Sequence, residues 1–227
     1  MTEKWMLGPN TLDEEHEPMN ATVYLYVFDT MSDWEIGYVT AELNTGRYFR
    51  KGIAPAKVVT VGIDKTPVTT MGGLKILPDL TVEECSMMSV DALILPGGNT
   101  WTEQAIHAPI LKVVERCLKE GIIVGAICGA TLALAQAGWL DSRWHTSNDL
   151  GYLKMVCPAY AGEDYYKMEP AVTDRNLITA SGVAPLEFTV HVLQALDVFA
   201  PTTLDAWYCL NKTHEPEYFY ALMNAMQ

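Results

Sequence analysis

Cys128 is the residue whose surroundings point most directly to chemistry. It lies in the segment Gly-Ala-Ile-Cys-Gly-Ala, between an apolar run typical of a buried strand and a run typical of a helix. A nucleophile at such a junction sits on a sharp turn, and the residues two before and two after it must be small. Here both are alanine, Ala126 and Ala130. The following helix would direct its amides and dipole at the sulfur, which favours the thiolate. We therefore expect Cys128 to be reactive.

Two glycines are expected to supply backbone donors beside this cysteine. Gly129 follows the nucleophile directly, so its N–H is placed to bind a developing oxyanion. The glycine turn at residues 96–98 follows a second buried strand over residues 91–95, and its glycines allow the backbone to turn towards a ligand. Gly98 and Gly129 are the predicted oxyanion-binding residues.

Short β-rich runs alternate with helical patterns along the chain. The predicted strands are residues 21–28, 57–63, 91–95, 121–127 and 177–180. The predicted helices are residues 32–43, 109–119, 130–137 and 185–196, followed by two shorter ones. Such alternation predicts an α/β fold, doubly wound, with a mostly parallel sheet and helices on both faces. Sites in these sheets form outside the carboxyl ends of the strands, where Cys128 lies.

The length and composition of the chain limit its possible domain organisation and its possible binding partners. We predict one α/β domain over residues 21–227, preceded by an acidic N-terminal extension over residues 1–20 that lacks the pattern of a secretory signal. A net charge of −13 argues against binding to nucleic acid or to an anionic membrane. The five cysteines show neither paired metal spacing nor a disulfide framework, so we expect a cytoplasmic protein without a metal or a cofactor.

Three segments together resemble the ThiJ/PfpI family, within the class I glutamine amidotransferase-like superfamily. Residues 91–98 are similar to the family's strand and glycine turn, and residues 126–135 to its nucleophile segment. Residues 28–35 are similar to the segment that brings a carboxylate to the cysteine. The similarity runs in order over residues 21–196, which is most of the chain.

The resemblance implies a flavodoxin-like fold, a homodimer, and a Glu35 that lies beside Cys128 and shares a proton with it. This is physically reasonable, because two anions would repel each other in a partly buried site and the carboxyl would be held protonated. From its residue type alone, Glu35 could equally be an ordinary acid in the first turn of a helix.

The third partner of the cysteine is left open. Many members of the family have a histidine directly after the nucleophile, where this chain has Gly129, which weakens the case for a peptidase. Others place a histidine after a Thr-Thr or Thr-Ser pair, and here Asn148 follows Thr146-Ser147 while His145 precedes it. The two candidates would face opposite sides of a regular strand. His145 is the candidate general base, with Asn148 or neither residue as the alternatives.

The favoured function is a cysteine-dependent enzyme acting on a small-molecule substrate, either an amide hydrolase or a glyoxalase-like enzyme. Cys128 would be the nucleophile and Glu35 its proton partner. The alternative is a non-enzymatic stress protein, redox-sensing or chaperone-like, in which Cys128 is oxidised to a sulfinic acid. A complete glutamine amidotransferase is disfavoured, because no His-x-Glu pair follows the nucleophile: His191 is followed by Val-Leu.

Overall fold

The computed structural model describes residues 21–225, apart from the side chain of Gln104. Seven strands of this part of the chain form one sheet, and two more form a small hairpin. In chain order the strands are β1 (Thr22–Tyr26), β2 (Lys57–Gly62), β3 (Val68–Thr69), β4 (Lys75–Ile76), β5 (Leu80–Thr81), β6 (Ala92–Leu95), β7 (Ile123–Ile127), β8 (Ala171–Asp174) and β9 (Leu177–Ala180). The predicted extension over residues 1–20 lies outside the described residues, and the domain boundary at residue 21 stays a prediction.

The helices alternate with these strands over most of the chain. They are α1 (Gly37–Thr45), α2 (Gln104–Glu120), α3 (Ala130–Gln136), α4 (Leu150–Val156), α5 (Pro185–Ala195), α6 (Pro201–Thr213) and α7 (Pro216–Ala225). Single 3-10 turns cover Asp33–Glu35, Val82–Glu84, Met87–Ser89 and Glu163–Tyr165. Helices α6 and α7 are the two closing helices that the sequence predicts.

The large sheet has the order β5-β2-β1-β6-β7-β9-β8, and only β8 runs antiparallel to its neighbour. Every residue of the central strand β6 is buried, so both faces of the sheet are covered there. Helices α1 and α5 pack on each other, α1 against β2 and α5 against β7 and β9, while α2 packs against β6 and β7. The predicted α/β fold with a mostly parallel sheet is confirmed.

The register of the central strands brings their carboxyl ends to one level. Leu95 at the end of β6 pairs with Ala126, and Ile127 at the end of β7 pairs with Ala180 at the end of β9. The loops after these three strands therefore meet at one edge of the sheet, which is where the site residues lie.

Glu35 belongs to a 3-10 turn rather than to the helix that the sequence predicts over residues 32–43. The turn covers Asp33–Glu35, and α1 begins only at Gly37. The Glu35 side chain is fully buried, and its carboxylate accepts a hydrogen bond from the Gly97 N–H. The tighter turn directs this side chain into the protein before the amphipathic helix begins.

Helix α2 begins five residues before the predicted start at Pro109. The prediction placed the proline at the first helical position, where its missing N–H costs nothing. Instead Pro109 lies inside the helix, where one intrahelical hydrogen bond is lost. The predicted boundary was wrong because the extra turn carries His107, which is buried in the core.

His107 is the centre of a buried polar cluster. Its Nδ1 is 2.9 Å from the hydroxyl of Tyr26, and its Nε2 is 3.1 Å from the hydroxyl of Thr100. The ring stacks on Trp101 with their centroids 4.1 Å apart. Burial lowers the pKa of His107 to about 4, so the folded protein holds this imidazole neutral.

We predict that His107 makes the protein less stable in mild acid. The unfolded imidazole takes up a proton below its ordinary pKa of about 6.5, whereas the folded one stays neutral down to a pH of about 4. The contribution is therefore fully present above pH ~6.5 and is lost as the pH falls towards 4. It amounts to about 2 kcal/mol between neutral pH and pH ~4.5. Urea unfolding at the two pH values measures it.

A matched pair of variants isolates this effect from other titrating groups. His107→Gln should lose about 2 kcal/mol less than the wild type over the same pH interval. The exposed His214 has a left-handed φ of 63°, which asparagine tolerates, so His214→Asn serves as the control. Equal losses in wild type and His107→Gln would show that His107 does not carry the pH dependence.

Candidate active site

Cys128 lies between the end of β7 and the start of α3, as the sequence predicts. Its φ is +60°, in the left-handed region that non-glycine residues rarely adopt. The turn is held on both sides, because the Cys128 N–H donates to the Ala180 carbonyl at 2.9 Å and the Thr131 hydroxyl donates to the Cys128 carbonyl at 2.6 Å. The strained turn leaves the cysteine half-buried at the edge of the sheet.

The backbones of two glycines form walls beside the cysteine. A Cβ on Gly97 would lie 2.6 Å from the Cys128 Cβ and 2.7 Å from both oxygens of Glu35. A Cβ on Gly182 would lie 2.7 Å from the Cys128 Sγ and 3.1 Å from the Glu35 Oε1. The distances to Cys128 from a Cβ at either glycine are shorter than any normal contact, so positions 97 and 182 have no room for a side chain.

Glu35 reaches this site from the turn after β1. Its Oε2 accepts the hydrogen bond from the Gly97 N–H, and the carboxyl also interacts with the side chains of Cys128 and Ser32. The buried Oε1 of Glu35 has no hydrogen-bond donor within hydrogen-bonding geometry among the described residues. A buried carboxylate oxygen without a donor favours the protonated carboxyl, which would itself donate a hydrogen bond.

Burial acts on the ionisation of both Glu35 and Cys128. Burial raises the pKa of Glu35 above its ordinary value. The pKa of Cys128 is raised to about 11, because burial and the neighbouring Glu35 raise it by more than the Asn148 amide and the Gly129 N–H lower it. The Gly129 N–H before the seven-residue α3 does favour the thiolate, as expected, but burial outweighs it and the pKa of the thiol is raised. Because the two groups lie side by side, a charge on Glu35 opposes the ionisation of Cys128.

Asn148 makes the third contact to the sulfur. Its Nδ2 donates to the Cys128 Sγ at 3.3 Å, and its Oδ1 accepts from the Gly182 N–H at 2.8 Å. The indole of Trp34 donates to the carbonyl of the same glycine at 3.1 Å. Sequence reasoning left Asn148 undecided and missed Gly182 and Trp34. Gly182 could have been found from the sequence, because it is a glycine just after the end of a buried strand, as are the glycines of the turn after β6.

His145 does not contact the sulfur. It is fully buried, with its Nδ1 2.7 Å from the Arg143 carbonyl oxygen and its Nε2 2.7 Å from the hydroxyl of Tyr160. Both ring nitrogens are thus engaged away from Cys128, and burial lowers the pKa of this imidazole. The geometry corrects the expectation of His145 as a general base, because no ring nitrogen is left to receive a proton from the cysteine.

The two predicted oxyanion donors, Gly129 and Gly98, lie close together in the structure. The Gly129 N–H interacts with the Cys128 sulfur, as a donor beside the nucleophile must. A Cβ on Gly129 would lie 3.2 Å from the Gly98 carbonyl oxygen, so the two glycines are neighbours. In the glycine turn, Gly97 holds the carboxyl of Glu35, which leaves Gly98 as the predicted second donor.

The described residues, 21–225, contain neither a metal-binding cluster nor a membrane-spanning helix. No group of three or more His, Cys, Asp or Glu side chains in this range is arranged to hold a metal ion. None of the described helices combines the length and the apolar character needed to cross a membrane.

The chain is similar in sequence to known proteins. A model of the DJ-1/PfpI family matches residues 21–195. The chain is 63% identical over 204 residues to the uncharacterized protease YoaZ of Bacillus subtilis (strain 168), covering 90% of this chain and 97% of that protein. It is 24% identical over 144 residues to the glutathione-independent glyoxalase DJR-1.2 of Caenorhabditis elegans, covering 62% of this chain and 74% of that protein.

Solved structures agree with this similarity. The crystal structure of a ThiJ/PfpI family protein from Bacillus anthracis is 60% identical and has a TM-score of 0.88, covering 92% of this chain and 98% of that one. Its likeness supports the flavodoxin-like arrangement of the sheet. The chain belongs to the DJ-1/PfpI family.

Proposed function

We propose that this protein is a cysteine-dependent enzyme that acts on small carbonyl compounds, with Cys128 as nucleophile and Glu35 as proton partner. The observation that carries the proposal is the placement of a strained, half-buried cysteine against a buried carboxyl, with glycine backbones on either side. A strained turn and a buried acid each cost stability, and such costs are typical of functional sites.

The proposed first step is an addition to a carbonyl group. Glu35 takes the proton of the Cys128 thiol, the sulfur forms a bond to the carbonyl carbon, and the π electron pair moves onto the oxygen. The N–H groups of Gly129 and Gly98 would stabilise that oxygen as charge develops. The protonated carboxyl of Glu35 then gives its proton to the oxygen, leaving a neutral adduct and a carboxylate. For a dicarbonyl, the carboxylate would then remove the C–H proton of the adduct and return it to the neighbouring carbon, which gives a thioester, and water would hydrolyse this thioester to a hydroxy acid and the free thiol.

The surroundings of the sulfur favour a reactive aldehyde or dicarbonyl over a peptide. Amide hydrolysis needs a group that protonates a departing amine and then activates water. The imidazole of His145 is engaged elsewhere, and the residue after the nucleophile is Gly129. The names of relatives, which include a glyoxalase and a protease, are consistent with either branch.

A redox-sensing protein is the second candidate function. Its support is that, within residues 21–225, Glu35 is the one titratable side chain that acts on the Cys128 thiol, so this site has a proton partner for the thiol but no contacting imidazole base. The thiolate would attack one oxygen of a peroxide, the O–O bond would break, and the other oxygen would leave as water or an alcohol after taking up a proton, so that a sulfenic acid forms. A second peroxide would give the sulfinic acid.

We also propose a cytoplasmic homodimer, following the resemblance in sequence. Sedimentation of the purified full chain would measure the assembly state, and fractionation of the cells that express it would establish its location. Neither proposal bears on the chemistry at Cys128.

Substituting the nucleophile and its partner tests the proposed enzyme. Cys128→Ala should abolish turnover of methylglyoxal, because no sulfur remains to add to the carbonyl. Glu35→Gln should lower the turnover rate about 10²- to 10⁴-fold, the usual range for a lost proton-transfer group. Disappearance of methylglyoxal and of a chromogenic amide is followed in parallel. The half-buried Cys209, on α6, provides the control Cys209→Ala, which should behave as the wild type.

Two outcomes would contradict the enzyme. Turnover that survives Cys128→Ala would remove the cysteine from the reaction. Absence of turnover of both substrates by the wild type, together with peroxide oxidation confined to Cys128, would favour the redox sensor.

The glycine wall gives an independent prediction. Gly182→Ala places a methyl group 2.7 Å from the sulfur, so turnover should fall at least 10-fold while the protein stays folded. Gly37→Ala is the control, because a Cβ there meets nothing within 4 Å. Circular dichroism checks the fold of both variants. A folded Gly182→Ala protein with the activity of the wild type would show that the wall does not confine the sulfur.

A further inference from the structure

We propose that Asn148 is a positioning residue that presents a fixed hydrogen-bond donor to Cys128, which leaves Glu35 as the only group among residues 21–225 that exchanges protons with the sulfur. This inference rests on the proposed function of Cys128 as the nucleophile, and it concerns how the reactivity of that sulfur is set.

The orientation of the Asn148 amide is determined by its other contact. The Gly182 N–H can only donate, so the atom 2.8 Å away from it must be the carbonyl oxygen of the asparagine side chain. The amino group is then directed at the Cys128 Sγ, 3.3 Å away. Because an amide nitrogen donates and does not accept, the sulfur is always the acceptor in this contact.

The glycine that orients Asn148 is itself held from the opposite side. The Trp34 indole donates to the Gly182 carbonyl at 3.1 Å, and no side chain fits at position 182. A chain of hydrogen bonds therefore runs from the indole through the Gly182 backbone to Asn148 and the sulfur. Trp34 is 53% exposed and Asn148 is also exposed, so the core does not depend on either side chain.

The Asn148 side chain has no proton that titrates near neutral pH, and this determines its effect on the Cys128 sulfur. A hydrogen bond to a charged acceptor is stronger than one to a neutral acceptor, so the amino group of Asn148 favours the thiolate over the thiol. The amide does not titrate near neutral pH, unlike the imidazole that some members of the family have after the Thr-Ser pair. The groups that bear on Cys128 are Asn148, Glu35 and the Gly129 N–H, and of these only Glu35 carries a titratable proton.

The test is the rate at which iodoacetamide alkylates Cys128 as a function of pH, read by peptide mass. Asn148→Ala should slow alkylation about 10-fold at neutral pH and move the midpoint of the rate profile to higher pH, because the thiolate loses its donor. Asn148→His should add a second transition at a pH of about 6.5 from the new imidazole. Asn211→Ala is the control, since this asparagine donates to the Trp207 carbonyl on α6.

Trp34→Phe tests the chain of hydrogen bonds without touching Asn148. It should move the alkylation profile in the same direction as Asn148→Ala but by less, because Gly182 loses one of its two anchors. Trp144→Phe, at another exposed tryptophan, is the control and should leave the profile unchanged. This second variant also keeps the test decisive if Asn148→Ala fails to fold.

The outcomes separate this inference from the proposed function. A folded Asn148→Ala protein with the alkylation profile of the wild type would overturn the role of Asn148, while Cys128-dependent turnover would leave the enzyme standing. Absence of turnover by the wild type would instead overturn the enzyme, whatever the alkylation profiles show. A lower rate without a shift in midpoint would also count against the inference, since the access of iodoacetamide to the sulfur, and not the ionisation of the thiol, would then have changed.

Discussion

The burial of one carboxyl beside one thiol is the constraint on which the rest of the site depends. Glu35 has no exposed surface, and the Cys128 Sγ lies against it with glycine backbones on either side. Neither acid is well solvated, and burial raises the pKa of both. A second negative charge in this space would be costly, so the two groups are expected to hold one proton between them.

The sheet creates this constraint through its register. Strands β6, β7 and β9 end at the same level, so the residues after them converge: Gly97, Cys128 and Gly182. Each glycine lies where a side chain would overlap the cysteine. The turn after β1 adds Glu35 from the neighbouring strand. Four separate chain segments thus build a space that fits two side chains, and the left-handed φ of Cys128 is the local strain that accompanies it.

The sequence predicted the parts of this arrangement that depend on local pattern. Apolar runs located the central strands, and small residues around Cys128 identified its turn. The two-residue strands β3, β4 and β5 were missed, because they are too short to show a periodic pattern, and the edge strand β8 was missed as well. The start of α2 was misplaced because packing of His107 outweighed the usual preference for proline at a first helical position.

The third partner of the cysteine could not be predicted, because it depends on where two adjacent loops meet. His145 and Asn148 are three residues apart, and alternation in a strand shows only that they differ in direction. The Gly182 N–H, distant in sequence, fixes Asn148 towards the sulfur, while the Tyr160 hydroxyl binds His145 on the other side. The ionisation of the thiol was also misjudged, because burial cannot be inferred from the strand–helix junction alone.

The most direct measurement of the shared proton is a carbon-13 NMR titration of the Glu35 carboxyl, assigned with Glu35→Gln. In the wild type this signal should change in two steps, because it responds to its own proton and to the ionisation of Cys128. In Cys128→Ser it should change in a single step with a different midpoint. One transition with the same midpoint in both proteins would mean that the carboxyl and the thiol titrate independently, and would contradict the account.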